Sequence, residues 1–131
     1  MASKIEHIGI NVTNLEESIR LYKAAFGVSV SLIEDYWEDG KHFRLAFLPI
    51  GESSLELIQA ANEAAGEPTP GIDHIAVEVD DMDADCTSLR SAGLALQPDA
   101  VMPGSRGTRV AFIRPSDLGD VSFELVEPAK S

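Results

Sequence analysis

Ile72-Asp73-His74-Ile75-Ala76-Val77-Glu78-Val79-Asp80-Asp81 is the stretch that decides the fold. The chain carries nearly the same stretch earlier, at Ile5-Glu6-His7-Ile8-Gly9-Ile10-Asn11-Val12-Thr13-Asn14. Both copies run apolar, acidic, His, apolar, small, apolar, polar, apolar, polar, polar. The histidines stand at positions 7 and 74, about half the chain apart. A histidine fixed at the same point of a repeated unit points to a site built from both halves.

Each copy reads as a strand. In the first, Ile8, Ile10 and Val12 share one parity, and His7, Gly9 and Asn11 the other. Asn14 then offers a helix N-cap, with Glu17 completing a capping box. Leu15, Ile19, Tyr22 and Phe26 follow at helical spacing, and Gly27 stops the helix. Next come a strand over 29–33, an acidic turn over 34–40, a strand over 42–48 and a strand over 54–59. The order is βαβββ.

The second half repeats it. A strand over 72–79 leads to Asp81 as cap, to a helix with Met82, Cys86 and Leu89 on one face, and to Gly93 as its stop. A short strand over 94–97, a Pro- and Gly-rich loop over 98–107, and strands over 108–113 and 122–127 complete it. Ala46-Phe47-Leu48 answers Ala111-Phe112-Ile113, and Ser54-Leu55-Glu56-Leu57-Ile58-Gln59 answers Ser122-Phe123-Glu124-Leu125-Val126-Glu127. The expected fold is α+β: one domain over 1–131, with tandem βαβββ modules over about 4–60 and 71–128 and a linker over about 61–70. The modules are expected to form a curved mixed sheet around a metal-binding cleft.

Glu56 and Glu124 are carboxylates flanked by apolar residues at equivalent places of the two modules, and alternation turns each away from its neighbours. A lone strand histidine is ordinarily structural, and a strand glutamate ordinarily solvated. The joint recurrence of His7, Glu56, His74 and Glu124 argues instead for a ligand set. Two imidazoles and two carboxylates with no thiolate suit one divalent ion: Co, Zn, Ni, Mn or Fe. Four protein ligands around an octahedral ion leave two positions open to Lewis-acid chemistry.

Composition narrows the function. A net charge of −12 argues against general nucleic-acid binding. No apolar run approaches the length of a membrane helix, no secretory leader is evident, and a single Cys86 suits a reducing cytoplasm. Lys41, Arg44, Arg106, Arg109 and Arg114 gather half of the ten basic residues into two short stretches, a candidate patch for a small anionic ligand. Glu127, next to Glu124 but of opposite parity, is expected to face away from the site.

These residues resemble the vicinal oxygen chelate superfamily, the glyoxalase and dioxygenase group of paired βαβββ modules. The resemblance runs from Ile5 to Pro128. Within it, Ile5–Ile10, Ala46–Gly51, Leu55–Ile58, Gly71–Met82 and Arg109–Pro115 with the turn Ser116–Asp120 are similar to the methylmalonyl-CoA epimerase family. The resemblance implies metal ligation by His7, Glu56, His74 and Glu124, and a homodimer.

It also implies epimerisation of a 2-methyl-malonyl-type acyl-CoA thioester by α-proton abstraction through a metal-stabilised enolate. Glu124 would double as ligand and base, and Lys41, Arg44, Arg106 and Arg109 are candidate phosphate partners. Described epimerases place a second carboxylate on the strand that here reads Lys41-His42-Phe43-Arg44-Leu45, where no acid lies. His42 is the candidate second base, with Glu38 or Asp39 as others from the turn. The alternatives are a glyoxalase-type lyase acting on a hemithioacetal or small ketone, and a non-catalytic ligand-binding protein of the same fold.

Overall fold

A computed structural model describes residues 1–130. Module one comprises β1 (Ala2–Asn11), α1 (Leu15–Phe26), β2 (Leu32–Glu38), β3 (Lys41–Ile50) and β4 (Ser53–Ala60). Module two comprises β5 (Gly71–Val79), α2 (Met82–Ser91), β6 (Met102–Pro103), β7 (Arg109–Ile113) and β8 (Phe123–Glu127). The fold class is α+β with tandem βαβββ modules, and the four strands of each form a mixed sheet. A short 3₁₀ turn, Glu63–Ala65, lies in the segment between the modules.

The chain divides into two compact units, residues 7–73 and residues 1–6 with 74–130, so β1 contributes to both. In the first unit the strand order is β2-β3-β4-β1. There β1 and β4 run parallel, and the two outer pairs are antiparallel. In the second the order is β5-β8-β7-β6, with β5 and β8 parallel. A parallel pair needs a crossover, and the helix of each module supplies part of it.

The helices start and stop where the sequence places their signals. The Asn14 carboxamide accepts from the Glu17 amide at 3.0 Å, and the Asp81 carboxylate from the Ala84 amide at 3.1 Å. Gly27 closes α1 at a φ of 72°, a left-handed value that suits glycine. The capping box is only half formed, because the Glu17 carboxylate turns to the Arg20 guanidinium instead of its cap. A second device repeats between the modules. The first amide of α1, at Leu15, donates to the Gln59 side chain at 2.6 Å, and that of α2, at Met82, to the Glu127 carboxylate at 2.8 Å.

Leu15, Val28, Ala46, Leu48 and Leu57 form the core under α1. Val79, Met82, Cys86, Leu96, Ala111, Ile113 and Leu125 form the core under α2. Phe26, expected on the buried face of α1, is 63% exposed and rests edge-on against Tyr22.

Two segments differ from the sequence-based expectation. The acidic stretch 34–40 is mostly strand: β2 runs on to Glu38, and only Asp39-Gly40 turns, both at positive φ (50° and 78°). That is the backbone a two-residue hairpin requires. Charged side chains are compatible with β2 because it is an edge strand, where they deter pairing with other chains.

The strand expected over 94–97 is reduced to one bridge, Leu96 to Ile113, while β6 lies inside the expected loop. Both pair with β7, Leu96 at one end and Met102 and Pro103 at the other. They are one edge interrupted between, where Pro98 has no N–H to give to a ladder.

Candidate metal centre

In the first unit, His7 on β1 and Glu56 on β4 occupy the same sheet face. Register pairs Gly9 with Glu56, so His7, two residues back from Gly9, shares that face. Gly9 has no side chain to stand between them, which leaves the carboxylate free to lean toward the imidazole. His7 Nε2 lies 3.6 Å from Glu56 Oε1, and both residues are buried, at 3% and 5% exposure. The Phe47 ring, opposite Glu56 on β3, meets His7 edge-on with centroids 6.2 Å apart.

The second unit repeats this. Ala76, another small residue, pairs with Glu124, and His74 Nε2 lies 4.0 Å from Glu124 Oε1. Both residues are buried, and the Phe112 ring, opposite Glu124 on β7, meets His74 edge-on at 6.2 Å. Each module thus holds an imidazole on its first strand, a carboxylate on its last, and on the strand beyond that last one a phenyl ring that meets the imidazole edge-on.

A bound cation beside each pair would lower the cost of burying its carboxylate, which is several kcal/mol when nothing compensates it. Adjacent donors around an ion with bonds of about 2.1 Å lie roughly 3.0–3.4 Å apart, and the observed separations of 3.6 and 4.0 Å are close to that span. In each unit, then, a buried histidine stands beside a buried glutamate, a pair of donors of the kind a divalent ion takes.

The other candidate residues lie differently. Strand β3 alternates, so Phe43, Leu45 and Phe47 share the Glu56 face, whereas His42, Arg44, Ala46 and Leu48 face α1. His42 is stacked on Trp37 (centroids 4.2 Å apart, planes 3° apart), with its Nε2 2.8 Å from Asp35. Arg44 donates to Glu16 of α1 at 2.6 Å. Neither His42 nor Arg44 is brought to His7 and Glu56, and the physical reason is parity within one continuous strand.

Arg109 lies on the α2 side of β7, donating to Glu127 and to Asp83, each at 3.2 Å. Arg106 is held by Glu6, with one bond at 3.2 Å. Three of the four proposed phosphate partners are therefore already engaged by carboxylates. Lys41, exposed at the start of β3 and on the parity of Phe43, is the exception.

Glu127 does face away from Glu124. Its carboxylate accepts from the Met82 amide and from Arg109, which together hold it below the ordinary carboxylate range. Cys86 is buried, and burial pushes its thiol pKa up. No helix among the described residues is long and apolar enough to cross a membrane.

One feature of this face was hidden in the sequence. Because β2 continues through Glu34 and Tyr36, and register sets Glu34 against Leu45 and Tyr36 against Phe43, both side chains join the His7–Glu56 face. Alternation from Leu32 onward carries that signal, but only once the acidic stretch is recognised as strand.

Residues 6–112 match the Glyoxalase/Bleomycin resistance protein/Dioxygenase superfamily. Methylmalonyl-CoA epimerase from Dictyostelium discoideum mitochondria is 29% identical over 131 residues, covering 95% of this chain and 78% of that protein. A probable lactoylglutathione lyase of Vibrio cholerae is 31% identical over 120 residues, covering 87% and 84%. Among solved structures, a point variant of Streptomyces coelicolor methylmalonyl-CoA epimerase in complex with 2-nitronate-propionyl-CoA superposes with a TM-score of 0.86. It is 30% identical and covers 98% of this chain and 96% of that one.

Proposed function

The chain belongs to the glyoxalase/bleomycin resistance/dioxygenase superfamily, and from that premise we propose that it is a divalent-metal-dependent epimerase of a 2-methyl-malonyl-type acyl-CoA thioester. The observation that carries the proposal is the repeated buried pairing of a first-strand histidine with a last-strand glutamate, in a chain similar to methylmalonyl-CoA epimerases. His7, Glu56, His74 and Glu124 would hold the ion. When bound, it would supply Lewis-acid stabilisation of the negative charge that builds on a thioester oxygen.

The protein's own groups do the rest. Epimerisation breaks the C–H bond at the carbon between carboxylate and thioester, and inverting that carbon needs a base on one side and an acid on the other. The Glu124 carboxylate is assigned one of these tasks. Phe43, Leu45 and Phe47 line the Glu56 face with apolar surface, which excludes water and strengthens the electrostatic contacts made there. Lys41, on the same parity and free of any carboxylate within ion-pairing distance among the described residues, is assigned to a phosphate of the coenzyme A moiety.

The test is proton exchange in deuterated water with methylmalonyl-CoA and protein supplied with Co²⁺. Deuterium should appear at the α-carbon as the two stereoisomers interconvert, and its absence from both isomers would overturn the proposal. Similarity to a probable lactoylglutathione lyase supports a second reading, a lyase acting on a hemithioacetal. Consumption of methylglyoxal with glutathione, without exchange into methylmalonyl-CoA, would favour it.

A further inference from the structure

Resting on the epimerase reading, we propose that Glu34 is the second acid/base group of the reaction. Inversion needs two proton-handling groups, and the strand Lys41–Leu45 contributes no carboxylate to the Glu56 face: its inward positions there are Lys41, Phe43 and Leu45. One strand further out, Glu34 stands directly opposite Leu45 on that same face. Ladder spacing puts its Cα two strands over and two residues along from that of Glu56, roughly 12 Å away. That gap leaves room for a small acyl unit between the Glu34 carboxylate and the proposed ligand Glu56.

The surroundings of Glu34 single it out among the acids of this hairpin. It is half-buried, whereas Glu38 and Asp39 are exposed at the hairpin end. Asp35, its sequence neighbour, points to the opposite side and is held by His42. Among the described residues Glu34 has no hydrogen-bond or ion-pair partner, so its carboxylate is not committed to a structural bond. Its neighbours on the face are Leu32, Tyr36 and the buried Leu45.

The proton balance is simple. With one stereoisomer, the α-C–H bond breaks, the proton passes to a Glu34 oxygen, and the electron pair moves onto the thioester carbonyl oxygen. An acid on the other side then gives its proton to the α-carbon, and the new C–H bond has the opposite configuration. With the other stereoisomer the roles reverse, and protonated Glu34 is the donor. Both groups recover their starting state by exchange with water.

The experiment compares Glu34→Gln with the parent, using each stereoisomer of methylmalonyl-CoA separately in deuterated water. Glu34→Gln should interconvert the isomers at least about 100-fold more slowly, the smaller end of what a general acid–base group contributes. It should still take up deuterium into one isomer, because the remaining group removes and returns that proton unaided. Its melting temperature, metal content and affinity for malonyl-CoA should match the parent, and Glu38→Gln should behave as the parent throughout.

Interconversion by Glu34→Gln within about fivefold of the parent would overturn the assignment while leaving the epimerase reading intact. Loss of exchange into both isomers together with a lowered melting temperature would also overturn it, showing a merely structural carboxylate on an edge strand. Failure of the parent itself to exchange either isomer would overturn the epimerase reading, and the role of Glu34 with it.

Discussion

Replacing His7 and His74 by alanine together should abolish the stabilisation that a divalent ion gives this protein. The four proposed donors are at most 7% exposed, so an ion bound by them is engaged by the folded chain and not by the unfolded one. A ligand at one hundred times its dissociation constant then adds about 2.7 kcal/mol. Unfolding a chain of 131 residues carries an entropy of roughly 0.28 kcal/mol/K near 60 °C, so the melting temperature should rise by about 10 °C.

The assay is calorimetric melting of chelator-stripped protein titrated with Co²⁺, with elemental analysis to count the ion. The parent should bind about one ion per chain and show the full rise, and the double variant should show less than about 2 °C. Glu56→Gln, which replaces an anionic donor by a neutral one, should gain less stabilisation from the metal than the parent does. Equal metal content and equal stabilisation in the parent and the double histidine variant would refute the reasoning.

Two further outcomes follow from single side chains. Glu127 is held below its ordinary value of 4.5 in the folded state by the Met82 amide and Arg109. Its contribution is therefore complete above that value and lost as pH falls through the lower folded pKa. Glu127→Gln should lower the melting temperature near neutrality, and the difference from the parent should shrink as pH falls below the ordinary value of 4.5, as read from melting curves across pH. The Cys86 thiol, 2% exposed and raised in pKa by burial, should react with an aromatic disulfide reagent at least about 100-fold more slowly in native protein than in denaturant. Equal rates would show that α2 opens freely.

The primary structure determines the repeat and the four residues proposed as ligands. Alternation around His7, His74, Glu56 and Glu124 is local, has a period of two, and appears twice, so it is legible without a partner strand. The helix caps at Asn14 and Asp81 are legible for the same reason, since a cap bonds an amide three residues away. Tertiary structure alone decides which side of the sheet each remaining group takes and what holds it. His42 and Arg44 looked available until register turned them to the opposite side of the sheet, where Asp35 of β2 and Glu16 of α1 engage them. Glu34 looked like part of a solvated turn until pairing with Leu45 set it on the His7 face. The reason is that a strand's facing depends on where pairing begins and ends, and a shift of one residue reverses every side chain. That boundary is set by partners distant in the chain, which no local pattern of residues contains.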